Sequence, residues 1–402
     1  MEFPGRTFET GAICNALACR GVKAPHTRKP YSEALLLGVS GGIAFGYMVF
    51  QYKGWPAHVA LLTRNTFSPY RTSIDRLGIV EDTKETVDPK RGLANLIEAI
   101  ENGSPTIVWA DVLSLPYTNV AANQNMWAVM PMVVHSCDGA SFHLADRSKV
   151  SWKVSAEALT AARARVKKDR FRIATLSPPD ANKLPAAVEA GIRQCIDLFD
   201  GVGAPRGHAE NFGFAGLQKW AEMLVNNRNK QSWARVFPTG ADIYQALAGR
   251  QAQPGIFIWI MTWGAGPDAE RGVFADFLEE AALILNKPKL GSLAEQFRKS
   301  AQLWQSLAET ALPSSIPLLG ETRNLLLPQR SLLIDKGPAS ADERRQIGAR
   351  LGEIAKTTAE ILDPASPAIQ QILASLRDHV LEIESTERSG INELKKIFER
   401  NR

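Results

Sequence analysis

Cysteine is scarce in this 402-residue chain: there are four, none in a CxxC pair. That excludes a disulfide framework and the usual zinc-site spacing, and it fits reduced thiols in a cytoplasmic protein. Histidine is hardly commoner, with six residues at 26, 58, 135, 143, 208 and 379 and no i,i+4 pair among them. A metal site is therefore not expected; the nearest approach is His135, Cys137, Asp138 and His143 around one hairpin. No P-loop lysine accompanies the glycines of "GVSGGIAFG" (38–46), so close backbone packing accounts for them better than a phosphate, and no cofactor is expected. The first residues, "MEFPGRTFETG", lack the basic start and apolar core of a signal peptide. The most apolar stretch, "ALLLGVSGGIAFGYMVF" (34–50), is broken by glycines and a serine and falls short of the roughly 20 residues that cross a bilayer. No membrane partner is expected. Nor is a nucleic acid, because the net charge of +5 is not gathered into a basic stripe with interleaved aromatics. The densest basic run, "ARARVKKDRFR" (162–172), reads as a solvated helix face or a linker.

What is present is an ordinary globular composition, 45% hydrophobic and 22% charged, long enough for two cores. Residues 9–20 support a helix stopped by Gly21, and 32–42 a second one capped by Ser32. "AFGYMVFQYK" and "AHVALLTR" have the aromatic and β-branched content of strands. Residues 92–103 read as a helix closed by Asn102-Gly103. Residues 105–112, 127–137 and 141–148 read as strands, with Asp138-Gly139 turning the last two into a hairpin. Beyond about 180 the apolar period becomes 3.6, at 186–199, 213–225, 273–285, 293–312 and 341–362. Proline-rich breaks at 178–185 and 313–328 separate these helices. The expected architecture is α+β: an α/β domain over 1–155 and a predominantly helical domain over 156–402.

Several stretches, in order, resemble the butirosin biosynthesis protein H family. They are "ETGAICNALACRGV" (9–22), "SEALLLGVSGGIAFGY" (32–47), "GSPTIVWADVLSLPY" (103–117) and "VVHSCDGASFHLADRS" (133–148). The long segment 274–313 resembles the helical domain that usually accompanies them. The resemblance implies a papain-like cysteine-acyltransferase fold for the first domain. In that family a His-Cys pair opens the first helix, a histidine enters a strand, and an aspartate orients the imidazole. A thiolate at a helix N-terminus is favoured by the macrodipole, accepts an acyl group from a carrier-protein thioester and passes it to an amine.

Carried across residue by residue, the family's chemistry is missing here. The His-Cys pair falls on Thr7 and Phe8, and the histidine segment on Met126 and Met130; only the aspartate is kept, as Asp146. Cys14 lies nearly two turns inside the helix among small and apolar residues, where a packed thiol is expected rather than a nucleophile. Cys19 and Cys195 read the same way. Strand alternation turns His135 away from the face of Met130 unless a bulge intervenes. Glu9, beside the vacated position, is a weak acid-base candidate whose simpler role is to complement the helix dipole. Thr7, Glu33, Asp111 and Trp127 are candidates for the pocket wall. Trp220 and Trp304 fall in apolar helical stripes and are expected in the core. "FIWIMTWGAGPD" (257–268) reads as an aromatic cleft lining, and Asp276, Glu279 and Glu280 as a solvent-facing acidic group or an amine receptor.

Three readings follow. In the first, the chain keeps the fold and binds an acyl, amine or carrier-protein-linked ligand without thiol catalysis, in a pocket made apolar by Phe8, Met126 and Met130. In the second, the same pocket runs altered acid-base chemistry on Asp146 and a nearby carboxylate, for acyl transfer, amide formation or cyclisation. In the third, Cys14 acts as a displaced nucleophile. An acyl carrier protein or acyl thioester, a small amine or an apolar ligand are the partners these readings call for, and the aromatic-rich helical half also suits a homodimer.

Overall fold

Alternation of apolar residues decides the first sheet. In a computed structural model that describes residues 2–118, 127–165, 170–250 and 253–399, the chain runs through α1 (Glu9–Cys19), α2 (Glu33–Val39), β1 (Ile43–Phe50), β2 (His58–Arg64), α3 (Pro69–Leu77) and β3 (Glu81–Lys84). Next come α4 (Pro89–Glu101), β4 (Thr106–Asp111), β5 (Val129–Cys137), β6 (Ser141–Ala145), β7 (Trp152–Ser155), α5 (Ala156–Ala164) and β8 (Ile173–Leu176). The helices that follow are α6 (Leu184–Phe199), α7 (Gly213–Val225), α8 (Trp233–Val236), α9 (Gly240–Ala248), α10 (Ile256–Met261), α11 (Arg271–Ile284) and α12 (Pro288–Ala311). The last three are α13 (Pro317–Ser331), α14 (Ala341–Ile361) and α15 (Pro367–Glu399). None of the described helices is long and apolar enough to cross a membrane.

These elements fall into two units that interleave along the sequence. The first comprises Met1–Leu36, Ser68–Ala187 and Gln329–Gln346; the second comprises Leu37–Phe67, Val188–Pro328 and Ile347–Arg402. A single cut at 155 would instead place the β1–β2 hairpin with the first unit, and 329–346 with the second.

The first unit is built on a six-stranded antiparallel sheet in the order β3-β8-β4-β5-β6-β7. Met132 and Val134, Phe142 and Leu144, Trp152 and Val154 put every second side chain into one core with Leu96 of α4 and Leu159 of α5, as a period of two requires. Phe8 and Met130 pack against that same core. The β5–β6 register slips between Val134 and Ser136, a bulge that changes the parity of the strand. Cys137, an odd position, therefore packs on the face of Met132. The expected Asp138-Gly139 turn is present, with Gly139 at φ 83° and Asp138 N–H donating to the Ser141 carbonyl.

The second unit carries the β1–β2 hairpin, in which Tyr47 faces Leu61, and most of the helices. Phe45, Trp220 and Trp304 stack in its core, with ring centroids 5.8 to 6.2 Å apart. Gly38 is needed because a Cβ there would lie 2.1 Å from the Phe277 ring, and Gly191 because its Cβ would meet the Gly38 carbonyl at 2.1 Å. The glycine-rich stretch is thus a packing feature. Arg271 and Glu387 form a fully buried pair, Nε to Oε1 2.7 Å and Nη2 to Oε2 3.0 Å. Ser300 and Trp304 also donate to Glu387 Oε1, and the guanidinium donates to the carbonyls of Ala44 and Thr63 on the hairpin.

Two expectations are corrected. The proline-rich segment 313–328 is not a break throughout: Pro317 opens α13, which holds Pro328 inside it and passes into a π turn at Leu332–Lys336. A proline removes one ladder hydrogen bond, yet α13 runs on past Pro328 to Ser331. The basic run 162–172 is not wholly solvated either. Arg163 is fully buried, donating to the carbonyls of Gly92 and Phe171, and burial lowers its pKa to about 10.

Candidate functional site

Helix α1 opens at Glu9, as read from the sequence. Gly21 takes φ 68° and stops the helix; Phe8 occupies the N-cap and offers no side-chain cap. The exposed backbone donors at this end are met from elsewhere. Glu33, at the start of α2, accepts from the Arg6 N–H at 2.9 Å and from the hydroxyls of Thr7 and Thr10 at 2.5 and 2.6 Å. Thr7 Oγ1 in turn accepts the Gly11 N–H. Thr7 and Glu33 therefore come together as a polar brace, with the carboxylate at the favourable end of the helix dipole.

Asp146 follows β6 and is 3% exposed. Arg147, held at φ 53°, folds back so that its Nε reaches Asp146 Oδ1 at 2.9 Å and its Nη2 reaches Oδ2 at 3.1 Å. The guanidinium carbon lies 4.0 Å from the centroid of the Phe8 ring. Tyr117 donates its hydroxyl to Asp146 Oδ2 at 2.8 Å and stacks on Trp152 with centroids 4.4 Å apart. The Trp152 indole donates to the Asp146 carbonyl. Burial first, and the Asp146 charge second, push the Tyr117 phenol well above its ordinary pKa, so it stays a donor. Burial opposes the charge on Arg147, but Asp146 and Tyr117 outweigh it and its pKa is raised.

Phe8 and Asp146 are thus gathered around Arg147, while Met130 packs with Phe8 against the core. Met126 lies outside the described residues. Asp111 is buried in a structural role: Oδ1 accepts the N–H groups of Leu113 and Ala128, and Oδ2 lies 2.6 Å from Arg165 Nε. Trp127 is 64% exposed. Glu9 sits in the first turn of α1. Cys14 is 1% exposed and donates to the Tyr31 carbonyl at 3.4 Å. His135, at the bulge, lies 2.8 Å from Ser151 Oγ and 3.2 Å from Ser136 Oγ through its two ring nitrogens. Its ring centroid is 5.1 Å from Phe3 and 6.1 Å from His143. Asp276 and Glu279 are exposed and pair with Arg298. Among the described residues no group of three His, Cys, Asp or Glu is placed to hold a metal ion.

Sequence reasoning missed Arg147, Tyr117 and Arg344. Arg344 Nη2 donates to the Tyr117 carbonyl at 2.8 Å and its Nε to Ser340 Oγ at 3.1 Å, and its guanidinium carbon lies 5.6 Å from the Trp152 ring. Tyr117 and Arg147 stood inside stretches already of interest, "VLSLPY" and "LADRS". Arg344 lies in "ADERRQIGAR", which carries no signal beyond a charged helix.

No curated protein matches the chain. Residues 7–147 match the family described as butirosin biosynthesis protein H, N-terminal. The matched segment begins at Thr7 and ends at Arg147, so it spans the whole path from the helix start to the aspartate loop. Over these residues the chain resembles the butirosin biosynthesis protein H family.

Proposed function

We propose that this protein keeps an acyltransferase-type fold from specialised metabolite biosynthesis and binds an acyl, amine or carrier-protein-linked ligand without thiol catalysis. One observation carries the reading: Asp146 spends both carboxylate oxygens on Arg147, which lies on the ring of Phe8. An aspartate that should orient an imidazole instead orients a guanidinium, which stays protonated and cannot relay a proton near neutrality. The residue at the helix start is apolar and has no nucleophilic atom. Cys14 is buried against a carbonyl and does not face an open site.

The acid-base alternative requires Asp146 to exchange a proton. Its two carboxylate oxygens already accept from Arg147 and Tyr117, so both are engaged within the protein rather than offered to a substrate.

The test is to incubate the full chain with an acyl pantetheine thioester and an amine, and to follow intact mass and free thiol. The expected result is no acylated protein and no thiol release above buffer. A covalent acyl adduct, or thiol release that disappears in Asp146→Asn while the protein stays folded, would overturn the reading.

A further inference from the structure

Two guanidinium groups flank the Tyr117–Trp152 stack, and among the described residues one carboxylate answers them. Arg147 lies on Phe8 and holds Asp146. Arg344 lies over Trp152 and, among the described residues, hydrogen-bonds only to the neutral Ser340 hydroxyl and the Tyr117 carbonyl. Arg344 is 8% exposed, so most of its hydration is gone, and among the described residues no carboxylate pairs with it. A buried charge without a counter-charge is costly. The two arginines also feel each other, for Arg344 has its pKa lowered by burial and then by the charge of Arg147. The Nη1 groups of both side chains have no acceptor among the described residues, and the aromatic rings beneath them restrict the planes of the two forks.

We propose that Arg147 and Arg344 form an oxyanion-binding pair that takes the phosphate or carboxylate group of the ligand at the vacated helix start. The inference rests on the ligand-binding reading above and adds the charge of what is bound. A phosphate or carboxylate supplies the missing negative charge and accepts forked N–H donors from both guanidinium groups. Phe8, Met130 and the core they cover offer an apolar wall for a chain attached to that head group. Both arginines touch neighbours of Asp146, so the anion would sit beside the retained aspartate, which already belongs to Arg147.

The experiment is calorimetric titration of the full chain with octyl phosphate, octanoate and neutral octan-1-ol, which share a tail and differ in head group. Inorganic phosphate serves as competitor. At least one anionic probe should bind about tenfold or more tighter than octan-1-ol, as expected for a charge-assisted contact. Arg344→Gln and Arg147→Gln should each remove that advantage, while Arg344→Lys retains part of it. Which anion wins separates a phosphate source from a carboxylate source. Equal binding of all three probes overturns the oxyanion pair and leaves the ligand-binding reading intact. An anion preference untouched in both Gln variants also overturns it, because the anion then binds elsewhere. Failure of every probe, octan-1-ol included, counts against the ligand-binding reading itself. Circular dichroism and thermal melting of each variant establish that it is folded, and Arg344→Lys keeps the test decisive if Arg344→Gln is not.

Discussion

Placing a guanidinium over an aromatic ring limits its freedom at little entropic cost, and Phe8, with its centroid 4.0 Å from the guanidinium carbon, does this for Arg147. Asp146 then receives two charge-assisted bonds in one plane, with Tyr117 completing its second oxygen. Asp146→Asn should therefore cost about 1.5–3 kcal/mol in urea denaturation, the usual range for hydrogen bonds to charged groups. Thiol chemistry offers a second check. Cys14 and Cys195 are buried, burial raises the Cys195 pKa, and burial lifts Cys19 to about 11. Iodoacetamide at pH 8 should leave Cys14 and Cys195 unmodified in the native protein and label them once it is unfolded; rapid native labelling of Cys14 would restore it as a candidate nucleophile. A third concerns His135, whose pKa is lowered by burial and then by the charge of His143. Its facing groups are Ser136, Ser151, Phe3 and His143, the last itself beside Asp138. The unfolded chain binds the proton more readily, so stability is full above about pH 6.5 and is lost as pH falls through that value toward the lowered folded pKa. His58 is lowered in the same direction, so the readout is the difference in melting temperature against pH between the parent and His135→Gln, which should flatten on removal of His135.

At the scale of elements, the strongest constraints are contacts that tolerate no added atom. Gly191→Ala would drive a methyl group into the Gly38 carbonyl at 2.1 Å, where neither backbone can yield cheaply. A loss of about 1–3 kcal/mol or more is expected for such overpacking, measured by thermal melting. Much of this element structure was legible. The span of α1, the β5–β6 hairpin and the helices α7, α11 and α12 announce themselves through period and punctuation, whereas the N-cap of α1 falls on Phe8, a residue type that gives no capping signal. Two features escaped. The bulge at His135 has no glycine to mark it and depends on pairing with β6. Helix α13 contains Pro328, and a local rule that treats proline as a stop cannot see that the helix continues through it. At the candidate site, the sequence drew attention to Phe8, Met130 and Asp146, but the arginine that pairs with Asp146 was not legible. Arg147 turns back only because its backbone enters the left-handed region, which arginine seldom adopts.

In the whole molecule, long-range polar contacts tie together segments that the sequence holds far apart. The second unit closes Arg271 of α11 against Glu387 of α15 and against carbonyls at 44 and 63. Glu387→Gln leaves a buried guanidinium without its counter-charge and should cost about 3–5 kcal/mol; an unchanged unfolding midpoint would show that the pair is dispensable. Interleaving of the units also has a consequence in time. As the chain is synthesised, Tyr117 and Trp152 emerge long before Arg344, which joins them in the finished first unit. At roughly 5–20 residues per second, Tyr117 waits on the order of 10–45 s for it. The hairpin carrying Ala44 and Thr63 waits longer still for Glu387. The contacts of Arg344 with the aromatic pair, and of the buried Glu387 pair with the hairpin, are therefore formed late, after the elements they join have already left the ribosome.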